Sequence, residues 1–346
     1  MPKINRPPMA VSSRRARSGW PAPRWKQSSN PESQSSILII TCGASAGDIW
    51  SRSSYPIAGA AITSRQPSSS NVGLIYRTDG PKELRSVGEV EFVAGLASQC
   101  DADPRVKTRV GAGIVGYADL TLGDRVEPVL AALAEGGAGR FRGVRNSAGW
   151  HDDPVIGNNH HDAGPGHYLR ADFRDGLNRL TAMGLSLDAL VYHHQHSDLV
   201  ELARACPDAN IIMNHTGMPL GYGPFAGKQK EVYAQWRSLL PEIAACPNVT
   251  MKLGGMMMRI AAYDYNQVPA PPSSEQLAAY WRPYIEPCIE LFGAERCTFE
   301  SNFPVDKMGI GYKALWNAFK RIASGASEAE KKALFAGTAR RVYRLD

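Results

Sequence analysis

The chain has 346 residues, 43% of them hydrophobic, which is enough apolar content for one large core. No apolar run approaches the roughly 18–20 residues that span a bilayer, so we expect no membrane partner. The net charge of +6 belongs to residues 1–73, which hold nine Lys and Arg against two Asp and Glu, while the remainder carries −1. A basic terminal segment of this kind does not form a folded surface that recognises a groove of DNA or RNA, so a nucleic-acid partner is not expected either.

The six cysteines lie far apart in the sequence, and none forms a Cys-x-x-Cys pair. This spacing argues against a disulfide framework and against a zinc knuckle. Reduced cysteines are typical of a cytoplasmic enzyme, and we expect that location with a small molecule as the binding partner. Self-association into a homo-oligomer stays open.

Residues 1–73 differ in composition from the rest of the chain. They contain sixteen serines, many Arg and Pro, and little hydrophobic periodicity. From Leu74 onward the sequence alternates between apolar runs and helical patterns. We therefore divide the chain into an anomalous segment, 1–73, expected to be poorly ordered, and a folded part, 74–346.

Strands and helices alternate through the folded part. The apolar runs predict strands at 111–116, 141–145, 187–192, 210–215, 249–253 and 297–300. Helical spacing predicts helices at 126–133, 170–182, 197–205 and 230–245, and capping boxes at Ser273 and Ser327 open two more, with Gly337 as a candidate end of the last. Buried strands separated by helices indicate an α/β fold with a parallel sheet. The number of units favours a (β/α)8 TIM barrel with a defective or disordered first-strand region, and a doubly wound sheet is the alternative.

In such a barrel the catalytic residues lie at the carboxyl ends of the strands. That rule selects five residues, Arg145, His193, His215, Lys252 and Asn302. All eight histidines fall between 151 and 215, and a histidine at a strand end can be a metal ligand, a general base or a polar anchor. We name His215 first and His193 second, both as catalytic groups and as ligands of one divalent metal such as Zn; metal-free catalysis is not excluded.

Cations at the mouth of a barrel suit a carboxylated substrate. We therefore expect Arg145 and Lys252 to bind substrate, together with Tyr192 at the end of the third predicted strand. Salt bridges to neighbouring loops are the alternative for both cations.

The stretch Gly43-Ala-Ser45-Ala-Gly47 follows a short apolar run and imitates the nucleophile elbow of serine hydrolases. An elbow needs a helix directly after the serine, and the following residues are poor helix formers. This alternative predicts that Ser45→Ala abolishes esterase activity.

Four stretches resemble the amidohydrolase-2 branch of the amidohydrolase superfamily. They are Asn214-His215-Thr-Gly217, the run 249–254, Phe299-Glu-Ser-Asn-Phe-Pro304 and the terminal run 337–345. The resemblance covers roughly 74–346. It implies a barrel whose site has a first-strand His-x-His, a histidine on strand five or six and an acid on strand eight. Members include metal-dependent hydrolases, lactonases and decarboxylases.

The sequence departs from this pattern in two places. The strand-eight acid position is Asn302, and a neutral amide cannot accept a proton from a bound water. No His-x-His occurs before residue 151. Both departures put the usual metal chemistry in doubt.

A shifted reading frame is one hypothesis that would account for the missing motif. Residues 35–43 read Ser-Ser-Ile-Leu-Ile-Ile-Thr-Cys-Gly, and with suitable codons a shift of one base turns them into Asp-Pro-His-His-His-Leu-Trp. The same shift over 66–71 permits Ala-Thr-Val-Phe-Val-Glu, a second strand. We therefore hypothesise that about 35–72 is out of frame relative to its relatives. The alternative is an Arg- and Ser-rich targeting peptide, and the coding DNA across 30–75 distinguishes the two.

The resemblance implies a hydrolase that opens a small carboxylated lactone or ester by water attack. His215, His193 and Asn302 would form its catalytic site. Two alternatives stay open: a catalytically impaired remnant that lacks the first-strand histidines, and a decarboxylase on the same fold.

Overall fold

Seven parallel strands run through the part of the chain that the computed structural model describes. That part comprises residues 39–41, 76–106, 109–160, 163–257, 270–303 and 305–345, all within the unit Ser35–Asp346. The strands are β1 (Ile39–Thr41), β2 (Gly113–Gly116), β3 (Phe141–Ser147), β4 (Ser186–Leu190), β5 (Asn210–Met213), β6 (Val249–Leu253) and β7 (Cys297–Phe299).

Each strand pairs with the next one along the chain, so the sheet order is β1 to β7 without a reversal. The register places Arg145 beside Asp188 and Lys252 beside Thr298. The sequential order confirms the parallel α/β fold and excludes a doubly wound order for these strands, because that order reverses at a switch point. Closure into eight strands stays a prediction.

Strand β1 falls inside the segment that the sequence marks as anomalous. Its backbone pairs with β2, with Ile39 opposite Gly113. Ser45 and the run 66–71 lie outside the described residues, and so do the elbow and second-strand hypotheses attached to them.

Helices follow most of the strands, as the apolar spacing predicts. They are α1 (Val87–Ala102), α2 (Glu127–Gly136), α3 (Ala171–Ala182), α4 (His196–Ala205), α5 (Gln229–Ala244), α6 (Ser274–Phe292), α7 (Tyr312–Ile322), α8 (Glu328–Lys332) and α9 (Thr338–Val342). Both predicted capping boxes are confirmed: Ser273 and Gln276 exchange hydrogen bonds at the start of α6, and Ser327 and Glu330 do so at α8.

The prediction that Gly337 ends the last helix is wrong. Gly337 has a helical φ of −61° and joins the π turn Ala333–Gly337 to α9. The residues after it are anchored, since Thr338 donates a hydrogen bond to Ala294 O at 3.0 Å and Ala339 is buried. Burial of the following turn therefore outweighs the tendency of glycine to end a helix.

The two faces of the sheet differ in chemistry. Strand residues such as Val144, Leu187 and Met251 pack with the helices in the main apolar core. The alternate residues point to the opposite, inner face, because side chains alternate along a strand. On that face stand Arg145 and Lys252, which are almost completely buried. One face of the sheet therefore carries buried charged residues, and the other face packs against the apolar core.

The carboxyl-terminal segment packs against the inner face. Tyr343 and Leu345 form a small apolar cluster with Val115 and Ile212. Asn210 holds the backbone there by donating to Val342 O at 2.7 Å. This contact brings the Tyr343 side chain to the charged residues of the sheet.

None of the helices in the described ranges combines the length and the apolar character that crossing a membrane requires.

Two helical glycines offer a matched test of the packing of α3. A Cβ at Gly176 would lie 2.1 Å from Leu120 O, whereas a Cβ at Gly95 on α1 would meet nothing within 4 Å. We expect Gly176→Ala to lower the free energy of unfolding by about 1–3 kcal/mol because it overpacks the contact. Gly95→Ala should raise it by about 0.5–1 kcal/mol through helix propensity. Urea unfolding measures both, and a Gly176→Ala protein as stable as the wild type would contradict the contact.

Candidate active site

Charged side chains from three strands meet on the inner face. Lys252 on β6 donates to Asp188 Oδ2 on β4 at 2.5 Å. Tyr343 donates to both oxygens of the same carboxylate, at 2.8 and 3.0 Å. Lys252 also lies 3.9 Å from Glu300 Oε2, just after β7. All four residues are at most 6% exposed, so the ammonium group is held between two buried carboxylates.

His215 follows β5 in a strained turn. Both His215 and Thr216 have positive φ, 55° and 53°. Trp236 of α5 fixes the turn by donating to Thr216 O at 2.7 Å. Gly255 leaves room for the imidazole, since a Cβ there would lie 2.3 Å from His215 Nδ1. Strain held in place by surrounding contacts is common at functional sites.

The imidazole of His215 bridges an anion and a cation. Its Nδ1 lies 2.5 Å from Glu300 Oε1, and its Nε2 lies 2.8 Å from Arg145 Nη2. Because a guanidinium can only donate, Nε2 accepts and the proton sits on Nδ1, from which it is donated to Glu300. Glu300 Oε1 also accepts the backbone N–H of His215 at 3.0 Å. The ring is therefore fixed in one tautomer and one orientation.

Burial lowers the pKa of His215 below its ordinary range, and the positive charges of Arg145 and Lys252 lower it further against the opposing effect of Glu300. For Glu300, burial alone would raise the pKa, but His215 and the two cations together bring it below its ordinary value. At neutral pH the site therefore holds a neutral imidazole between an ionised carboxylate and a guanidinium.

This arrangement supplies the parts of a general-base mechanism. A carboxylate that accepts from Nδ1 orients the ring and stabilises the imidazolium that forms when Nε2 takes a proton. Arg145 and Lys252 are buried donors that can stabilise negative charge developing on a carbonyl oxygen. The site can thus support attack of water on a carbonyl carbon.

The structure brings together three of the residues selected from the sequence, namely Arg145, His215 and Lys252. In the described part of the chain, His193 makes no hydrogen bond or ring contact with them; its Nδ1 instead accepts from Leu220 N at 3.4 Å. The centroid of its ring lies 4.9 Å from that of Phe225 and 5.3 Å from that of His194. The role of His193 stays a prediction.

Tyr192 lies in a second apolar cluster above the ends of β4 and β5, with Ile156, Leu190, Met218 and Leu220. It is 3% exposed. Tyr192 is therefore packed in an apolar cluster, and substrate binding by Tyr192 stays a prediction.

Asn302 follows β7 with a positive φ of 46° and no exposed surface. Its Nδ2 donates to Asp306 Oδ1 at 2.9 Å. The amide is therefore oriented by a buried carboxyl group four residues later.

The described donor set does not fit a metal ion. Within those residues no group of three or more His, Cys, Asp and Glu side chains could hold one. Both nitrogens of His215 are already hydrogen-bonded, and Lys252 occupies the space between Asp188 and Glu300. Metal binding by the two predicted ligands, His215 and His193, stays a prediction.

Sequence reasoning missed three members of the site: Asp188, Glu300 and Tyr343. An acidic residue inside an otherwise apolar strand was a signal for Asp188, since buried charges are rare unless paired. Glu300 directly follows a strand end, but it belongs to the same motif as Asn302, which occupies the position of the family's acid and was selected instead. Tyr343 carries no local signal, because its partner is 155 residues away.

Most of the chain is similar in sequence to known proteins. Residues 79–345 match the model of a family described as amidohydrolase. The uncharacterized protein y4mH of Sinorhizobium fredii is 36% identical over 262 residues, 75% of each chain. An L-fucono-1,5-lactonase of Burkholderia multivorans is 30% identical over 263 residues, which is 74% of this chain and 77% of that protein.

A crystal structure of an amidohydrolase from Burkholderia multivorans, with bound Zn, is also similar. It shares 26% identity and a TM-score of 0.59, over 75% of this chain and 79% of that chain. The fold is thus shared with proteins of this kind, and the bound Zn is a property of that structure.

The ion pair of Lys252 and Asp188 should dominate the stability of the inner face. Lys252→Met leaves two buried carboxylates without their cation, so we expect a loss of about 3–5 kcal/mol of unfolding free energy. The double variant Lys252→Met/Asp188→Asn should recover part of that loss. Additive losses in urea unfolding would show that the two side chains do not interact.

A second prediction concerns pH. His196 is fully buried and donates from Nε2 to Gly217 O at 2.7 Å, and burial lowers its pKa to about 4. Between pH 6.5 and 4 the unfolded chain binds a proton that the folded chain does not, so stability falls as the pH falls through that window. His196→Gln keeps an N–H donor and should remove up to about 3 kcal/mol of this dependence. Unfolding curves should show a stability difference between the two proteins that is constant above pH 7 and changes below it; a constant difference throughout would sink the idea.

Proposed function

Because the chain belongs to the amidohydrolase family and is a hydrolase, we propose that it opens a small lactone or ester by attack of water. A carboxylate on the substrate, or the one that forms on the cleaved carbonyl, is held by Arg145. The observation that carries the proposal is the buried chain from Glu300 through His215 to Arg145.

His215 is the general base in this proposal. Its Nε2 is engaged by Arg145 Nη2 before substrate binds. A substrate oxygen that accepts the Arg145 hydrogen frees the Nε2 lone pair for a water molecule. Substrate binding and activation of the base are then one event. Glu300 keeps Nδ1–H in place and balances the imidazolium charge.

Two buried groups near His215 support a ligand at this position. Arg145 Nη1 and the side-chain amide of Asn214 make no hydrogen bond with any described residue. Asn214 is 1% exposed and directly precedes His215. Buried polar atoms are satisfied in most native proteins, so unsatisfied ones that adjoin a base suit a bound carbonyl, carboxylate or hydroxyl group.

Lys252 supplies a fixed positive charge. Its ammonium is anchored by Asp188, and this prevents it from swinging toward solvent. A preoriented cation stabilises an oxyanion without reorganisation during the reaction. The similarity to L-fucono-1,5-lactonases supports a lactone as the substrate.

A remnant without activity is disfavoured by the same network. Four buried charges cost desolvation energy, and apolar residues of similar size would often be at least as stable. The presence of two buried cations and two buried carboxylates is more readily explained by chemistry than by folding.

The test is hydrolysis by the purified protein of a panel of lactones, L-fucono-1,5-lactone and carboxylated lactones among them, followed by acid release. His215→Gln should lower kcat/KM by about 10²- to 10⁴-fold, the usual contribution of a general base. His194→Gln is the control, because its ring bonds to Trp150 O and not to the site. Release of carbon dioxide from carboxylated substrates would instead indicate a decarboxylase. Inactivity on the whole panel would indicate a catalytically impaired remnant.

A further inference from the structure

Asp306 is a buried carboxyl group for which the proposed reaction has so far no role. It lies in the turn Val305–Met308 after β7 and has no exposed surface. Oδ1 accepts from Asn302 Nδ2 at 2.9 Å, and Oδ2 makes no hydrogen bond with any described residue. A carboxyl group is costly to bury when half of it is unsatisfied.

The position of this group is defined by its neighbours. The backbone N–H of Asp306 donates to Asn302 O at 3.1 Å, and its carbonyl accepts from Gly309 and Ile310. Val305 packs against the apolar cluster that covers the ends of β4 and β5. Asp306 is therefore next to a residue that packs on this cluster, and it is hydrogen-bonded to Asn302, two residues after Glu300.

The turn itself does not require a carboxylic acid. Its backbone bonds are made by main-chain atoms, and the bond from Asn302 needs only an acceptor, which an amide also offers. What an amide cannot do is give up a proton. Burial raises the pKa of Asp306 well above its ordinary range, and the nearby charge of Glu300 adds to the effect. Because Oδ1 accepts from Asn302, Oδ2 is the oxygen that is left to carry a proton.

Opening a lactone needs a proton at the leaving oxygen. An alkoxide is a strong base and leaves slowly unless an acid protonates it. Neither cation of the site suits this role, because Arg145 stays protonated and Lys252 is bound to Asp188. Oδ2 of Asp306 is a buried carboxyl oxygen without a hydrogen-bond partner in the described part of the chain, so a proton on it is free to move to a substrate.

On the basis of the proposed lactone hydrolysis, we infer that Asp306 is the catalytic general acid, with its Oδ2–H group facing the leaving oxygen of the substrate and Asn302 holding the carboxyl group in position.

The step balances as follows. Water adds to the carbonyl carbon and gives its proton to His215 Nε2. The bond between that carbon and the ring oxygen then breaks, its electron pair stays on the oxygen, and the proton of Asp306 moves there to form an alcohol. His215 has gained one proton and Asp306 has lost one, and proton exchange with solvent restores both.

Asp306→Asn is a sharp test because it keeps the acceptor for Asn302 and removes only the acid. The substrates are the lactone that the wild type opens fastest and the thiolactone of the same ring. A thiolate is a much weaker base than an alkoxide and leaves without a proton. We expect kcat for the lactone to fall by about 10²- to 10⁴-fold and kcat for the thiolactone to change little. Asp124→Asn, an exposed carboxylate paired with Arg179, is the control and should affect neither.

Equal losses on both substrates would overturn the inference, because they would show that Asp306 only supports the structure. No loss on either would overturn it too. A wild type inactive on every lactone removes the proposed hydrolysis and this inference together, which separates that failure from the other two. If Asp306→Asn does not fold, judged by circular dichroism and thermal unfolding, the wild-type solvent isotope effect decides. It should be larger for the lactone than for the thiolactone, and equal effects count against Asp306.

Discussion

The rest of this structure depends on one constraint, the placement of two positive and two negative charges on the buried face of one sheet. Arg145 and Lys252 lie on the same face as Asp188 and Glu300, and all four side chains are buried. Removing one member leaves an unpaired charge at high cost, whereas the complete set is nearly neutral. The set therefore acts as a unit, and His215, hydrogen-bonded to both Glu300 and Arg145, can gain a proton while the ion pair of Lys252 and Asp188 stays intact.

Much of the fold follows from the sequence because the main-core side of each strand is apolar and the strands are short. The spacing of apolar residues located β3 through β7 to within a few residues, and Ser273 and Ser327 marked two helix starts by hydrogen bonds between neighbours. The prediction of a helix end at Gly337 was wrong, because burial of the next turn sets the conformation of Gly337 and outweighs the preference of glycine.

The site was predicted in part. The rule that active-site residues stand at the ends of parallel strands selected Arg145, His215 and Lys252, and the structure places all three in one buried network. It could not find Tyr343, whose contact with Asp188 is made across the sheet by a distant segment. Nor could it separate His193 from His215, since both end strands in the sequence. Only the chain turn after β5, strained at Thr216, directs one of them to the charged face.

The bond between Tyr343 and Asp188 also sets an order of events during synthesis. Asp188 leaves the ribosome 155 residues before the hydroxyl group that binds it. Lys252 emerges in between and is the earlier partner. A nascent chain can therefore pair its strands β3 to β6 while the carboxylate is still half satisfied. The charged layer is completed only after the segment around Tyr343 has been made, because Tyr343 follows Asp188, Lys252 and Glu300 in the chain.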